Sequence, residues 1–426
     1  MLLKKILKFL IFTIVFISLC ELTIRVIDLY NNKTVYNAKN HTSYFSNYKN
    51  HPFLQYTGKI NQDGYQIHLE PGKYFKTSTN SDGFRSREFY PKVNDGSYRV
   101  MILGDSFVWG YNAHDHETLG VNLEKILKKK IHNNIEVYSL GVPSYSGIIY
   151  KGIARTYFDL LKPDLIIVAI DQNDFFDDQA REKLFEKDDN NQPYYYRKYK
   201  DENELSSIDG NSREFKSKIK LTSSLVDKLV ILKHKLIDPI IYKYKIKKFK
   251  KNISFLKYSD ILENKKINLY DHFDLHRDNI CCNLENSKKK FTTTFEALKY
   301  VKNKSDQINA KLYFSTYPYA WYIDPKQSLE WQLKLYKGKY ILDFRNNNVY
   351  PELVNHYAEK LSVENLNFYN FIRENPGDYW GDFDPHFNAN GYKAYAEFLG
   401  QNIATFIKKD IKNRWYIMPL NKKKET

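Results

Sequence analysis

Cysteine is scarce in this chain, whose 426 residues include only three: Cys20, Cys281 and Cys282. The two adjacent cysteines are poorly placed to bridge each other, and no CxxC pair accompanies them. Three cysteines are also too few for a disulfide framework. The composition therefore excludes a small disulfide-stapled fold, and we interpret these residues as structural or incidental.

Acidic side chains are also in deficit, because 50 aspartates and glutamates face 66 lysines and arginines, for a formal charge of +16. Such an excess suits nucleic acid or an anionic membrane surface as a partner. No nucleic-acid-binding motif accompanies the charge, so we expect no nucleic-acid partner, and a lysine-rich bias of the whole proteome is the simpler explanation. The length predicts one large domain with insertions, or two domains.

Long apolar runs are rare, apart from Phe9 to Cys20, which follows three lysines among the first eight residues. A basic flank before an apolar stretch is typical of export. The run is shorter than the roughly 20 residues that span a bilayer, which favours a signal peptide, but no small-x-small cleavage site follows it. We therefore expect residues 1–28 to form an uncleaved membrane anchor, with the rest of the chain extracytoplasmic, in the periplasm or at the cell surface. A cleaved signal peptide and a buried amphipathic helix are the alternatives.

The stretch YRVMILGDSFVWG, residues 98–110, organises the remaining chain. The apolar run Val100 to Leu103 predicts a buried strand, which Gly104 and Asp105 end, so that Ser106 lies at its carboxyl end. Open α/β sheets place their chemistry at that end. A serine is a weak nucleophile by itself, so the site also needs a base, an orienting carboxylate and donors for an oxyanion.

Strands and helices alternate along most of the chain, which predicts an α/β fold with a parallel sheet and helices on both faces. Residues 29–95 are polar and aromatic with few periodic runs, and we expect them to form an extended lead-in packed on the catalytic domain. The predicted elements are helices over 117–130, 148–161, 295–308 and 389–408, and strands over 135–140, 165–170, 311–317, 340–344 and 366–371.

The α/β pattern is interrupted by a lysine-rich stretch, residues 181–290. It contains one amphipathic segment, Leu225 to Ile237, stopped by Pro239. A membrane-surface or partner-binding role is one interpretation, and a largely helical insertion with a solvated basic face is the one we favour. The catalytic domain is then divided into residues 96–180 and 291–410, followed by a basic tail, 411–426.

Three further segments, each at a strand end or a helix start, offer the base, the carboxylate and the oxyanion donors that a nucleophilic Ser106 needs. Gly141 follows the second strand, where the lack of a side chain lets a backbone N–H approach a substrate oxygen. Asn173 follows the third strand and offers a side-chain amide. Asp384-Pro385-His386 precedes the last helix and supplies a base together with a carboxylate that fixes its tautomer. Helix caps and turns explain any one of these residues alone, but not all of them at the strand ends of one sheet.

Four ordered blocks together resemble the SGNH, or GDSL-type, hydrolase superfamily: GDSFVWG at 104–110, SLGVPSYSG at 139–147, IDQND at 170–174 and DFDPHFNANGY at 382–392. The resemblance implies a flavodoxin-like, three-layer α/β/α fold. It also implies that Ser106 is the nucleophile and His386 the general base, and that the oxyanion hole comprises the Ser106 backbone N–H, Gly141 and Asn173. No cofactor is implied.

The sequence departs from this family at two positions. Asp171 stands where the third block usually has glycine, two residues before the asparagine. Phe383 stands where the family usually has the aspartate, three residues before the histidine. Asp384, two residues before His386, matches the branch that includes alginate-type O-acetyltransferases and many anchored members. We therefore assign Asp384 as the orienting carboxylate, with Asp382 in reserve.

These residues predict an envelope-anchored serine esterase acting on an acylated glycan or a small ester. An O-acyltransferase that modifies an envelope polysaccharide with the same triad is the first alternative, and an inactive glycan-binding scaffold is the second. The acyl group, the acceptor and the oligomeric state stay open.

Other histidines and aromatic residues give weaker signals. We expect no metal site, because His272 and His276 have helical spacing but lack the glutamate pattern of a zinc hydrolase. His114 and His116 are expected to lie on a loop that borders the site or to be solvent-exposed. Core packing or a sugar-stacking wall would explain a set of aromatic residues, Trp321, Tyr322, Trp331, Tyr379 and Trp380.

Overall fold

The computed structural model describes residues 9, 11–20, 22–23, 48–67, 74–93, 96–131, 134–189, 191–197, 233–237, 240–241, 243–244, 254–257, 283–335 and 340–417. Several sequence predictions lie outside these residues. They concern Cys281, Cys282, His272 and His276, and most of the amphipathic segment 225–237.

The strands are numbered in chain order. They are β1 Tyr48–His51, β2 Gln55–Gly58, β3 Asp63–Ile67, β4 Tyr74–Ser78, β5 Tyr98–Gly104, β6 Ile135–Gly141, β7 Leu165–Ile170, β8 Phe185–Lys187, β9 Pro193–Tyr196, β10 Ser254–Lys257, β11 Lys311–Thr316, β12 Tyr340–Asp343 and β13 Glu364–Asn367. The α-helices are α1 Ser106–Trp109, α2 Leu119–Ile131, α3 Gly147–Leu161, α4 Asp174–Glu182, α5 Leu284–Lys290, α6 Thr292–Gln307, α7 Leu329–Leu335, α8 Val349–Lys360, α9 Phe368–Glu374 and α10 Ala389–Ile417.

A five-stranded parallel sheet forms the centre of the fold, in the order β6-β5-β7-β11-β13. Every residue of β5 and β7 is buried, and β7 is apolar throughout. A continuous apolar strand of this kind needs cover on both faces, which helices provide in α/β folds. The predicted three-layer α/β/α class with a mainly parallel sheet is therefore confirmed.

The strand order places a topological switch point between β5 and β7. The chain moves from β5 outward to β6 on one side, whereas from β7 it continues to β11 and β13 on the other. Right-handed crossovers in opposite directions place their helices on opposite faces, in keeping with the packing of α2 on α10 and of α3 on α6. Open α/β sheets bind ligands at such a switch point, between the loops that follow the two strands.

Three predicted elements differ from the structure. The last strand is Glu364–Asn367 rather than 366–371, because the Asn367 side chain accepts a hydrogen bond from the Tyr369 N–H and so caps a helix, α9. The strand predicted at 340–344 exists as β12, but it pairs with β10 of the insertion instead of joining the central sheet. The final helix continues past the predicted Lys408 to Ile417.

The described part of the lead-in, residues 48–67 and 74–93, forms two hairpins and a turn-rich segment that pack on the central domain. Leu54 and Phe84 are fully buried in the common core. At Gly152 in α3, an added Cβ would lie 2.3 Å from the carbonyl oxygen of Phe53, so helix and lead-in are in direct contact. The insertion, where described, includes the hairpin β8–β9 as well as helical residues.

Helical residues occur between positions 9 and 23. No helix in the described ranges combines the length and the apolar character that crossing a membrane requires.

Candidate active site

Ser106 lies at the carboxyl end of the central strand β5, in the turn where that strand meets helix α1. The residue before it caps this helix: the Asp105 side chain accepts a hydrogen bond from the Phe107 N–H at 2.9 Å. Gly110 ends the helix with φ +87°, a left-handed conformation that favours glycine. Because Asp105 performs the capping, the Ser106 hydroxyl is free of that structural task.

Ser106, His386 and Asp384 form a continuous hydrogen-bonded chain. The distance from Ser106 Oγ to His386 Nε2 is 2.7 Å, and His386 Nδ1 forms a short hydrogen bond with Asp384 Oδ1. The carboxylate on Nδ1 requires a proton there, so Nε2 presents its lone pair to the serine hydroxyl. Ser106 and His386 are 280 positions apart in the chain, and the fold brings together the set that the sequence predicted.

The Asp-x-His spacing has a local geometric reason. Asp384 Oδ1 accepts a hydrogen bond from the His386 backbone N–H at 2.8 Å, in the manner of an Asx turn, and the same oxygen meets the imidazole. Asp384 is fully buried, and its carbonyl oxygen accepts from Ser328 Oγ at 3.1 Å. Asp382 is exposed and contributes a backbone carbonyl to Trp331 N. The structure therefore places Asp384, and not the reserve candidate, against the histidine.

Two aromatic rings hold the His386 imidazole. The Phe107 and Tyr111 rings each lie with their centroids 4.8 Å from that of the histidine, on residues just after the nucleophile position. The loop that carries His386 is closed by a hydrogen bond from Gly381 N–H to the His386 carbonyl, 2.9 Å long. Sequence reasoning missed both rings, since nothing in GDSFVWGY marks which aromatic side chains turn toward a distant histidine.

Gly141 packs directly against the turn that carries Ser106. It pairs in register with Gly104, and an added Cβ would lie 2.8 Å from the Asp105 carbonyl oxygen and 2.5 Å from Val108 Cβ. Any side chain here would displace the nucleophile turn. The backbone of Gly141 therefore lies against the turn that carries Ser106.

Asn173 follows β7 at the same edge of the sheet, immediately before α4. Its side chain makes no capping hydrogen bond to that helix, and its buried Oδ1 has no hydrogen-bond partner among the described residues. The Asn173 side chain is therefore not engaged in capping α4.

Asp105 does more than end the strand, which is the role that the sequence predicts for it. Its Oδ2 lies 3.0 Å from Ser106 Oγ, and its Oδ1 accepts a hydrogen bond from Tyr317 at 3.1 Å. Burial, together with the nearby Asp105 charge, raises the pKa of Tyr317 well above its usual value, so this phenol stays a donor. Asp105 thus contacts both Ser106 Oγ and Tyr317, the residue that follows β11.

Asp171, the departure from the family pattern, is buried beneath the site. Its Oδ2 accepts a hydrogen bond from Tyr319 at 3.0 Å, so a tyrosine accommodates the extra carboxylate. The neighbouring Asp174 accepts from Tyr150 at 2.9 Å and from the Asp171 N–H at 3.1 Å. Burial first, and then the charges of Asp105, Asp171 and Asp178, raise the pKa of Asp174 well above its usual value.

The structure places the aromatic residues and the two histidines, His114 and His116, in different surroundings. Trp321 stacks between Tyr319 and Trp331 with centroid distances of 4.7 and 5.5 Å, and it is buried with Tyr322 and Trp380, so core packing explains these rings. His114 is half-buried and precedes a 3-10 turn, Asp115–Glu117, in which His116 is exposed. No cluster of three metal-ligating side chains occurs in the parts of the chain described above.

No protein-family model matches the chain, and no curated protein matches it either. Among solved structures, it is similar to a putative lipolytic protein of the G-D-S-L family from Desulfitobacterium hafniense DCB-2, with 12% identity and a TM-score of 0.32 over 71% of this chain and 98% of that one. A lipase/acylhydrolase from Enterococcus faecalis gives 12% identity and a TM-score of 0.32 over 72% and 96%. A catalytic mutant of an acetylxylan esterase from Geobacillus stearothermophilus gives 11% and 0.35 over 72% and 94%. Similarity at this level assigns no activity, so the function depends on the chain's own residues.

Proposed function

We propose that this chain is a serine-dependent acyl-ester hydrolase of the SGNH type. The observation that carries the proposal is the hydrogen-bonded chain from Ser106 Oγ through His386 to the buried Asp384. These three residues lie at the switch point of a parallel sheet, which supports the proposal, as do the four sequence blocks that resemble the family.

In the proposed reaction, Ser106 Oγ attacks the carbonyl carbon of the ester while its proton passes to His386 Nε2. Asp384 stabilises the resulting imidazolium. The oxyanion receives hydrogen bonds from the Ser106 N–H, the Gly141 N–H and the Asn173 amide; losing one such donor typically costs about 3 kcal/mol of transition-state stabilisation. His386 then gives the proton to the leaving alcohol, and water, activated by His386, hydrolyses the acyl-enzyme.

Hydrolysis of 4-nitrophenyl acetate tests the proposal. We expect turnover by the wild type, a loss of roughly 10³-fold or more in kcat for Ser106→Ala, and wild-type rates for Ser81→Ala, which changes an exposed serine in the lead-in. Equal rates for Ser106→Ala and the wild type would contradict it.

The acceptor of the acyl group distinguishes the esterase from an O-acyltransferase, because both use the same acyl-enzyme. Product analysis with an acetyl donor and candidate glycans gives free acetate alone for the esterase, and an acetylated glycan for the transferase. A glycan-binding scaffold without catalysis would retain carbohydrate after Ser106→Ala and hydrolyse no ester.

We further propose that residues 1–28 anchor the protein to a membrane, with the catalytic domain extracytoplasmic. The lysine flank followed by the apolar run supports this, as do the largely exposed side chains of Phe9, Phe12 and Phe16. Flotation of the full chain and of a variant lacking residues 1–28 with lipid vesicles tests the anchor. Equal flotation of the two would contradict it.

A further inference from the structure

Arg85, in the turn-rich part of the lead-in, extends a buried guanidinium to the loop that follows α1. Its side chain is only 3% exposed. The guanidinium donates hydrogen bonds at 2.6–3.3 Å to five acceptors: Asp115 Oδ1 and the carbonyl oxygens of Lys76, Trp109, Gly110 and Ala113. An arginine has five N–H groups, so the acceptors match its full donor capacity. A cation is tolerated in a folded interior when it is paired and hydrogen-bonded in this way.

The loop that Arg85 holds carries Tyr111. It runs from Gly110 to Ala113 and belongs to no helix or strand, and Gly110 and Asn112 have left-handed backbones with φ of +87° and +57°. Carbonyl oxygens in such a loop need donors from elsewhere, because no helix or ladder supplies them. Arg85 supplies donors on both sides of Tyr111, at Gly110 and at Ala113. The backbone of Tyr111 is therefore fixed by a side chain of the lead-in.

Tyr111 connects this loop to the proposed general base. It is only 1% exposed, and its ring meets the His386 imidazole edge-on, with an interplanar angle of 66° and 4.8 Å between centroids. The Phe107 ring also contacts the imidazole, but Phe107 belongs to α1 rather than to the loop. The Tyr111 contact restricts the rotation of the imidazole, whose Nε2 must stay directed at Ser106 Oγ, 2.7 Å away.

We infer that Arg85 is a positioning residue for the reaction. Its guanidinium fixes the loop that holds the Tyr111 ring against His386, and so keeps the imidazole aligned with Ser106 Oγ. The inference rests on the proposed function, because it concerns the same site. It makes the lead-in, which lies outside the four sequence blocks that resemble the family, a functional part of that site.

Arg99 provides a matched control for Arg85. It lies near the start of β5, at the end of that strand opposite Ser106, and its side chain is 4% exposed. Its guanidinium donates hydrogen bonds at 2.9–3.0 Å to three acceptors: Glu136 Oε2 and the carbonyl oxygens of Tyr90 and Leu161. Both arginines are thus buried and bind the lead-in to the sheet domain, but only Arg85 holds the loop that touches His386.

The kinetic test compares Arg85→Lys with Arg99→Lys, because lysine keeps the charge but loses the planar fork of donors. We expect Arg85→Lys to lower kcat for 4-nitrophenyl acetate about 10- to 100-fold and to leave KM within about twofold, since a displacement of about 1 Å costs a reaction about 10²-fold. Arg99→Lys should keep kcat within about twofold, even where urea denaturation shows a similar loss of stability. Equal effects of the two substitutions on kcat would overturn the inference.

Tyr111→Leu tests the contact through which Arg85 acts, and it does so even if Arg85→Lys does not fold. We expect kcat to fall about tenfold or more with KM retained. Adding Arg85→Lys to Tyr111→Leu should lower kcat by no more than about a further twofold, because the two substitutions break the same link. A wild-type kcat in Tyr111→Leu, or losses that multiply in the double variant, would overturn the inference.

The hydrogen bond between His386 Nδ1 and Asp384 offers a readout that needs no turnover. In protein labelled with ¹⁵N-histidine, the Nδ1 proton signal is assigned by its absence from His386→Ala. We expect this signal to broaden or disappear in Arg85→Lys, because the imidazole is no longer held in one orientation, and to persist in Arg99→Lys. A signal of wild-type position and width in Arg85→Lys would overturn the positioning role whether or not the protein hydrolyses esters.

Discussion

The proposed chemistry depends on which aspartate orients His386. Asp384 is fully buried and binds both the backbone N–H and the ring of the histidine, whereas Asp382, two residues earlier, is exposed. The two aspartates have the same chemistry and nearly the same position in the sequence. Their different surroundings make them a matched pair for mutation.

Asp384→Asn should lower kcat by roughly 10³- to 10⁴-fold, because an amide does not hold the imidazole in the tautomer that accepts the Ser106 proton. Asp382→Asn should retain the wild-type rate within about twofold, as expected for an exposed side chain. Steady-state hydrolysis of 4-nitrophenyl acetate by both variants, with circular dichroism to confirm folding, measures this. The same small loss in both variants would show that the Asp384 contact has no catalytic role.

Asp105→Ala should lower the free energy of unfolding by about 2–4 kcal/mol. The substitution removes the N-cap of α1, worth about 1 kcal/mol, and leaves the buried Tyr317 hydroxyl without its acceptor, at about 1–3 kcal/mol. Urea denaturation of Asp105→Ala and of Tyr317→Phe separates the two contributions. A stability within the range of about ±0.5 kcal/mol typical of surface changes would contradict the supporting role.

The sequence could predict the site residues whose roles follow from local position. Ser106, Gly141 and Asn173 each lie at or just after the end of an apolar strand, so the strand ends alone bring them to one edge of the sheet. The contact between Asp105 and Tyr317 joins residues 212 positions apart and leaves no mark in either segment. The choice between Asp384 and Asp382 required the Asx-turn geometry, which spacing by itself does not give.

At the scale of elements, one buried carboxylate joins three helices. Asp178 in α4 accepts hydrogen bonds from Ser146 and Ile148 at the start of α3 and from Thr294 in α6, at 2.6–2.8 Å. It therefore caps a helix other than its own. Burial outweighs these hydrogen bonds and raises the pKa of Asp178 to about 6.

This raised pKa predicts a pH-dependent stability. In the unfolded chain the Asp178 carboxyl has the ordinary pKa of 3.8, so the folded chain binds the proton more tightly than the unfolded chain. The contribution of Asp178 to stability is therefore greatest below pH 3.8. It is lost as the pH rises through the folded-state pKa of about 6. The loss amounts to about 3 kcal/mol. The free energy of unfolding of wild type relative to Asp178→Asn should fall by that order between about pH 3.5 and 7, roughly the limits of this titration, in urea denaturation. A difference that does not change with pH would contradict the assignment.

The last predicted strand is wrong for a local reason. Phe368 to Phe371 has the apolar character of a strand, but the Asn367 cap starts a helix there. Strands β5, β6, β7 and β11 were predicted within a residue or two, because continuous apolar runs between turn residues have few other structures available in a parallel sheet.

At the scale of the whole molecule, the strand order and the packing of the lead-in are the features that sequence patterns do not contain. The periodicity of apolar residues and the composition predict which segments are strands. They do not predict that β12 pairs with β10 instead of joining the central sheet. The lead-in shares the core of the sheet domain, with Leu54 and Phe84 fully buried. We therefore expect the two to unfold as one cooperative unit.

Gly152→Ala tests this docking. The added methyl group would lie 2.3 Å from the Phe53 carbonyl oxygen, so the lead-in must shift, and we expect a loss of about 1–3 kcal/mol in the free energy of unfolding and faster amide exchange across β1 and β2. Gly64→Ala, which meets nothing within 4 Å, is the matched control and should be neutral. An equal, small effect of the two substitutions would mean that the lead-in is not docked on α3.

The most direct measurement is reaction of the folded protein with a fluorophosphonate, followed by peptide mapping, because only an activated serine forms the covalent adduct. The proposed triad predicts one adduct on Ser106, absent from Ser106→Ala and strongly slowed in His386→Ala. An unlabelled wild type, or equal labelling of wild type and Ser106→Ala, would contradict the assignment of Ser106 as the nucleophile.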